Sequence, residues 1–136
     1  MGIVYVDITL KNVKDIIKVE LGLIKKQEIR QTTVKAMVDT GAGTLVINEE
    51  LREKLGLEIK GERPVILAND KTETLKISDP VEVHWKDRSM TCRPVVASGG
   101  EVLLGAIPLE DMDLIVDPVR QGLIGAHGDE AVSILM

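Results

Sequence analysis

The sequence predicts an all-β fold in a single domain spanning residues 1–136, and three observations lead to it. Many short runs rich in Val, Ile, Leu and Thr are separated by turn residues, which is typical of strands. Only two segments carry the boundary signals of a helix. A chain of 136 residues can bury one hydrophobic core but is short for two. We therefore expect a closed or folded β-barrel with one or two short helices.

The first half of the chain predicts four strands and one helix. Strands are expected at residues 3–10, 15–24, 33–38 and 45–47. The first two would be joined by a turn at Lys11-Asn12. After the fourth strand, Asn48 can cap a short helix that Gly56 can end.

The second half predicts more strands around a second helix. Strands are expected at residues 64–68, 72–77, 81–85, 90–97, 102–104, 114–116 and 132–135. The first two would form a hairpin that turns at Asn69-Asp70. Pro108 suits the first turn of the helix, and Glu110 and Asp111 follow it closely.

Composition excludes several classes of function. The chain has one Trp, one Tyr and no Phe, so the core must be aliphatic and no aromatic platform for stacked bases is available. A net charge of -5 also argues against nucleic acid as a partner. The sequence contains no apolar run long enough to span a membrane. Cys92 is the only cysteine, and the first residues do not form a signal peptide, so we expect a cytoplasmic protein.

The stretch VKAMVDTGAGTLVI at residues 34–47 places a carboxylate, Asp39, between two apolar runs. An unpaired carboxylate is costly to bury, so this position requires a partner or a chemical purpose. Gly41 and Gly43 allow a tight turn, and the Thr40 hydroxyl could fix the loop. The residue types alone are more typical of an ordinary turn.

The context of Asp39 resembles the active-site loop of the retropepsin-like aspartic proteases. Met37-Val38 precede Asp39-Thr40-Gly41-Ala42, and Leu45-Val46-Ile47 resume the strand at the spacing of that family. The second signature of the family, apolar residues and a Gly that lead into a short helix, is matched by Val102-Leu103-Leu104-Gly105. The resemblance covers about residues 29–117.

The resemblance implies a role for each matched residue. Asp39 would be catalytic, and the residues that support its loop would be Thr40, Gly41 and Ala42. The second-signature loop would comprise Leu103, Leu104 and Gly105. A flap over the substrate would be formed by the hairpin, with contacts from Leu67, Ala68, Asn69, Asp70 and Lys71. No metal or other cofactor is implied.

The family mechanism needs two facing carboxylates, which share one proton. One acts as a base on a water molecule while the other donates a proton to the scissile carbonyl. This chain contains one D-T-G and no D-S-G. The resemblance therefore implies an aspartic endopeptidase that is a homodimer, with Asp39 contributed by each chain, and a peptide or protein as its substrate.

Two features depart from the retroviral pattern. Ala106-Ile107 stand where those enzymes usually have Arg followed by Asn or Asp, and the hairpin tip lacks their Gly-rich sequence. Residues 1–28 and 118–136 have no counterpart that we can align. An apolar lining of Val65, Leu67 and Leu104 would favour hydrophobic substrate side chains.

Four alternatives remain open on the sequence. The Asp39 loop is similar to a phosphate-binding loop of actin-like kinases, but those folds need two large domains. His84, Cys92 and His127 lack the spacing of a structural zinc site. A nucleophilic role for Cys92 competes with that of a small buried hydrophobic residue. A retropepsin-fold module that dimerises or binds peptide without cleaving it is the strongest rival.

Overall fold

The structure is a computed structural model that describes residues 2–66 and 69–128. Its strands are β1 Tyr5–Asn12, β2 Gln31–Val38, β3 Leu45–Asn48, β4 Ile59–Ile66, β5 Thr72–Ser78, β6 Val81–Trp85, β7 Arg88–Cys92, β8 Val95–Ala97, β9 Val102–Leu104, β10 Leu114–Asp117 and β11 Gly122–Gly125. Its helices are α1 Val13–Glu20, α2 Glu49–Lys54 and α3 Ala106–Asp111, with a 3-10 turn at Lys26–Glu28.

Nine of these strands form one sheet in the order β4-β5-β8-β3-β9-β2-β1-β6-β7, and β10 pairs with β11 in a separate ribbon. The prediction of a mostly β protein is therefore confirmed. Within the described residues the two outer strands, β4 and β7, do not pair with each other. The sheet is open there, and the closed form of the barrel that the sequence suggested is not found.

The predicted strand at 15–24 is wrong, because residues 13–20 form α1. Asn12 begins the helix, since its side-chain oxygen accepts the N–H of Asp15 at 3.1 Å. Its amide group donates to the carbonyl of Leu55 at 2.8 Å, so the same buried side chain also anchors the helix to the end of α2. Val13, Ile16 and Val19 are partly buried at a spacing of three, which is a helical period.

Asp15 fixes α1 to the start of β2. Its carboxylate is buried and accepts from Nε of Arg30 at 2.8 Å, from Nη2 at 2.9 Å and from the Arg30 backbone N–H at 3.0 Å. The hydrogen bonds from the guanidinium lower the pKa of Asp15. These hydrogen bonds hold α1 against the residue that leads into β2.

The other boundaries differ from the sequence prediction in several places. Lys11 and Asn12, where a turn was expected, end β1 instead. β4 begins at Ile59 and not at residue 64, and β11 at Gly122–Gly125 was not predicted. The predicted strand 90–97 is divided into β7 and β8 at Arg93-Pro94, where Pro94 has no N–H to donate and its carbonyl instead accepts from Ser78 at 3.1 Å. The predicted strand at 132–135 lies outside the described residues. The α2 boundaries are confirmed: Asn48 accepts the N–H of Leu51 at 2.8 Å, and Gly56 follows the helix at a φ of 66°.

The core is aliphatic, as the composition requires. Its most completely buried side chains are Ile8, Leu10, Leu45, Ile47, Leu55, Leu57, Val81, Val83, Leu104 and Met112. Seven strands of the large sheet contribute buried residues to this cluster, namely β1, β2, β3, β6, β7, β8 and β9, and the partly buried Ile59 of β4 packs against it. Among the described residues, no helix is long and apolar enough to cross a membrane.

We predict that Asp15→Asn weakens the fold in a pH-dependent way. The folded pKa of Asp15 lies below its unfolded value, so its stabilising contribution is present above about pH 4 and is lost as the pH falls through the folded pKa. The loss at pH 7 should be about 2 kcal/mol, the scale for hydrogen bonds to a charged group. Urea unfolding at a series of pH values measures this loss of free energy. The loss should shrink towards zero at the lowest pH values.

Asp7→Asn is the matched control, because Asp7 is exposed on β1. It should change the free energy of unfolding by less than about 0.5 kcal/mol at any pH. A deficit in Asp15→Asn that stays constant down to the acid limit would contradict this account of the Asp15–Arg30 pair.

Candidate active site

The Asp39 loop joins two strands that are separated by a third. β9 lies between β2 and β3, parallel to β2 through the pair Val38 and Leu104, and antiparallel to β3 through the pair Leu45 and Leu104. The loop that runs from Asp39 to Thr44 must therefore pass across the end of β9. This brings together the two segments that the sequence singled out.

Backbone hydrogen bonds connect those segments directly. The N–H of Asp39 donates to the carbonyl of Leu104 at 3.0 Å. In return, the N–H of Ala106 donates to the carbonyl of Ala42 at 2.8 Å, and that of Ile107 to the carbonyl of Gly43 at 3.2 Å. The start of α3 and the Asp39 loop therefore hold each other in place.

Gly105 is required by this contact. A Cβ at Gly105 would lie 2.3 Å from the Thr44 carbonyl oxygen and 2.6 Å from that of Ala42, distances that real Cβ atoms do not reach. Both obstacles are backbone atoms, so a rotating side chain cannot relieve the clash. The sequence marked Gly105 through the family signature, but the steric reason appears only in the structure.

The Asp39 carboxylate is partly buried and held on one side only. Its Oδ1 accepts the N–H of Gly41 at 3.0 Å, and the carbonyl of Asp39 accepts the N–H of Ala42 at 3.0 Å. Within the described residues Oδ2 accepts no hydrogen bond from the protein. The carboxylate thus has a fixed orientation and one free oxygen.

The loop lies at the surface of the chain. Thr40, Gly41 and Gly43 are exposed, whereas Leu45 and Ile47 just beyond them are fully buried. The expected contribution of the Thr40 hydroxyl to the loop is not found, because this group makes no hydrogen bond within the described residues. Backbone groups and the Asp39 carboxylate shape the turn.

The predicted hairpin is confirmed by the pairing of β4 with β5, which brings Ile66 opposite Thr72. At its end, the side chain of Asn69 accepts the N–H of Lys71 at 3.1 Å, and Asp70 adopts a φ of 63°. Leu67 and Ala68, the other expected flap contacts, lie outside the described residues. β5 pairs with β8, and β8 pairs with β3, so the hairpin belongs to the same sheet as the Asp39 loop.

The expected apolar substrate lining is not supported at Leu104. This side chain has no exposed area and belongs to the core cluster, so it cannot contact a substrate. Alternation along β9 turns Val102 and Leu104 inward and leaves Leu103 partly exposed. Leu67 and the side chain of Val65 lie outside what the structure describes.

Residues 26–111 match the family model for the gag-polyprotein putative aspartyl protease. The matched segment covers more than half of the chain and includes both Asp39 and Gly105. The chain belongs to this retropepsin-like family. The family likeness that the sequence predicted is thus confirmed.

One of three similar solved structures shares the fold at a TM-score above 0.5. The retroviral protease-like domain of Ddi1 from Leishmania major has a TM-score of 0.54 at 17% identity, over 90% of this chain and 87% of that one. A retropepsin-like aspartic protease from Rickettsia conorii scores 0.42 at 26% identity, over 63% and 76% of the two chains. The EIAV protease bound to the inhibitor HBY-793 scores 0.46 at 23% identity, over 59% and 77%. None of the curated proteins searched matches the sequence.

The alternative sites suggested by the sequence find little support in this retropepsin-like fold. Burial raises the pKa of the Cys92 thiol to about 12, which is unfavourable for a nucleophile. His84 contacts Glu82, and Nδ1 of His127 lies 2.8 Å from Oδ1 of Asp113. Within the described residues no three His, Cys, Asp or Glu side chains are grouped as they would be around a metal ion.

We predict that Gly105→Ala destabilises the protein by about 1–3 kcal/mol or more, the scale of overpacking against atoms that cannot move away. The added methyl group would push the Ala42–Thr44 backbone away from the start of α3. Thermal or urea unfolding measures the loss.

Gly43→Ala provides a control from the same loop. A Cβ at Gly43 meets no atom within 4 Å, so this variant should unfold within about 0.5 kcal/mol of the wild type. Equal effects from the two substitutions would show that the Gly105 contact does not determine the packing at this junction.

Proposed function

We propose that the protein is an aspartic endopeptidase that hydrolyses peptide bonds as a homodimer. The active unit would be a single domain of residues 1–136 in each chain. The observation that carries the proposal is the state of Asp39: a carboxylate oriented by the N–H of Gly41, with one free oxygen, on an exposed loop in a retropepsin-like fold.

The homodimer follows from the count of catalytic carboxylates. The mechanism needs two, and this chain has one D-T-G. A two-fold axis beside the exposed Asp39 loop would bring Asp39 of each chain together, because an isologous interface repeats the same surface on both sides. The exposure of Thr40 and Gly41 leaves that surface available.

In the proposed dimer the two Asp39 carboxylates share one proton, because two negative charges at such short range repel each other strongly. The ionised carboxylate takes a proton from a water molecule, which attacks the scissile carbonyl carbon. The protonated carboxylate donates its proton to the carbonyl oxygen, which gives a tetrahedral diol. The first carboxylate then passes the water proton to the amide nitrogen while the second takes back the proton of one diol hydroxyl. The C–N bond breaks, a carboxylic acid and an amine leave, and the pair holds one proton again. The Gly41 N–H bond at 3.0 Å would keep each carboxylate in place during this exchange.

The β4–β5 hairpin is proposed as the flap that covers the substrate. Its described tip residues Asn69, Asp70 and Lys71 are exposed, and Ile66 beside them is 78% exposed. Leu67 and Ala68 would complete the contact surface. Function in a reducing cytoplasm is compatible with a chain that has one cysteine and cannot form an internal disulfide.

A second candidate is a module of the same fold that dimerises or binds peptide without cleavage. The geometry of the Asp39 loop supports it in part, because the Gly41 hydrogen bond gives the carboxylate a structural role within one protomer. The likeness to the Ddi1 domain is a likeness of fold alone and is equally compatible with this candidate.

We predict that Asp39→Asn lowers peptide cleavage at least about 100-fold, the contribution of a general acid or base, while the dimer persists. Asparagine retains an oxygen that can accept the Gly41 N–H, so the loop should keep its shape. A mixed peptide library analysed by mass spectrometry from about pH 4 to 7 measures cleavage, and analytical ultracentrifugation measures association.

Asp87→Asn, an exposed substitution in the turn between β6 and β7, is the matched control and should keep wild-type activity. Wild-type cleavage per chain should also fall on dilution below the dissociation constant of the dimer. Cleavage that survives in Asp39→Asn would overturn the mechanism. Peptide binding without cleavage by the wild type would favour the non-cleaving module.

A further inference from the structure

A cavity of about 420 Å³ lies beside the Asp39 loop. Thr44, at the end of that loop, lines it together with Ile107, whose N–H donates to the carbonyl of Gly43. Its other walls come from β4 and β5 of the hairpin and from the segment that leads into β8. The cavity therefore connects the base of the proposed flap with the loop that carries the catalytic residue.

Cationic side chains dominate the polar part of this lining. Lys60, Arg63 and Arg93 are opposed by Glu62 alone, although the whole chain carries a net charge of -5. Lys60 forms an ion pair with Glu58, with 2.9 Å between Nζ and Oε2. The excess of positive charge is thus local and contrasts with the charge of the rest of the protein.

The two arginines are the available cations. Within the described residues neither Arg63 nor Arg93 forms an ion pair, and both side chains are exposed. By contrast, Arg30, Arg52 and Arg120 each pair with a carboxylate. Glu62 lies opposite Lys76 in the hairpin register, so its charge is opposed by another cation nearby.

The apolar part of the lining is suited to a short aliphatic stem. Ile77 and Val95 are partly buried, and Ile107 is 56% exposed. A glutamate side chain could lay its methylene groups on these residues while its carboxylate reaches a guanidinium. Guanidinium groups bind carboxylates through two parallel hydrogen bonds, which gives them selectivity over neutral amides.

We propose that this pocket, defined by Arg63 and Arg93 with Ile77, Val95 and Ile107, selects peptide substrates that carry an acidic side chain near the cleaved bond. The proposal rests on the peptidase function above and names its substrate class. It adds one acidic position to the hydrophobic substrate side chains that the sequence suggested.

The test is a peptide series in which one Glu is moved through each position of a cleaved sequence, with Gln as its neutral match. Wild-type protein should favour the Glu peptide at one position by up to about fivefold per arginine in kcat/KM, the range of an exposed ion pair. The double variant R63Q/R93Q should lose this discrimination between the Glu and Gln peptides. Raising the salt concentration should weaken the discrimination of the wild type.

Two further variants sharpen the result. R93E should shift the preference from Glu towards Lys at the same position. K26Q, an exposed substitution in the 3-10 turn, should leave the preference unchanged. Circular dichroism melts establish that each variant is folded.

Binding of the same peptides to Asp39→Asn, followed by fluorescence anisotropy, separates this proposal from the peptidase function. If the wild-type protein cleaves no peptide, the peptidase function fails. If the Glu peptide still binds to Asp39→Asn better than the Gln peptide does, the acidic preference stands. If R63Q/R93Q affects Glu and Gln peptides equally, or if neither assay distinguishes them, the acidic preference is overturned.

Discussion

The backbone contact between Gly105 and the Ala42–Thr44 segment is the constraint on which the rest of the site depends. β9 can lie between β2 and β3 only if the loop that joins those strands crosses its end closely. The crossing also supplies hydrogen-bond acceptors for the first N–H groups of α3, because no side chain caps this helix at Gly105. The N–H groups of Ala106 and Ile107 would otherwise be unpaired at the helix start, and the loop carbonyls of Ala42 and Gly43 accept them.

The orientation of Asp39 is a consequence of this arrangement. The Asp39 N–H is bound to Leu104, and Oδ1 receives the N–H of Gly41, so backbone groups alone fix the carboxylate. Because both donors are backbone N–H groups, the orientation of the carboxylate does not depend on a second, flexible side chain. Such preorganisation matters for proton transfer, which loses efficiency when the reacting atoms are displaced by about 1 Å.

The sequence predicts those parts of the fold whose signals are local. The turn residues of the Asp39 loop, the caps of α2 and the hairpin at Asn69-Asp70 all lie within a few residues of the structure that they produce. α1 was missed because its β-branched residues favour a strand, whereas its start depends on Asn12 and its docking on Arg30. Arg30 is fifteen residues from Asp15, so no local pattern shows the pair.

The site was predicted in the same uneven way. Asp39 and Gly105 were identified through two signatures with a fixed order, but the inward direction of Leu104 required the register of β9 between its neighbours. The pocket with Arg63 and Arg93 was not foreseen, since its cations come from β4 and from the break between β7 and β8. Those segments meet only because β5 pairs with β8.

In a single chain the Asp39 carboxylate does not need a second carboxylate beside it. This affects the free energy of forming the proposed dimer. The carboxylate keeps one hydrogen bond within the chain and remains partly exposed, so an isolated protomer carries no buried, unpaired charge there. Bringing two such carboxylates together removes water from both and would cost several kcal/mol if both stayed charged. A shared proton removes that repulsion. The shared proton would therefore be needed for the proposed dimer to form, and the same proton would take part in peptide hydrolysis.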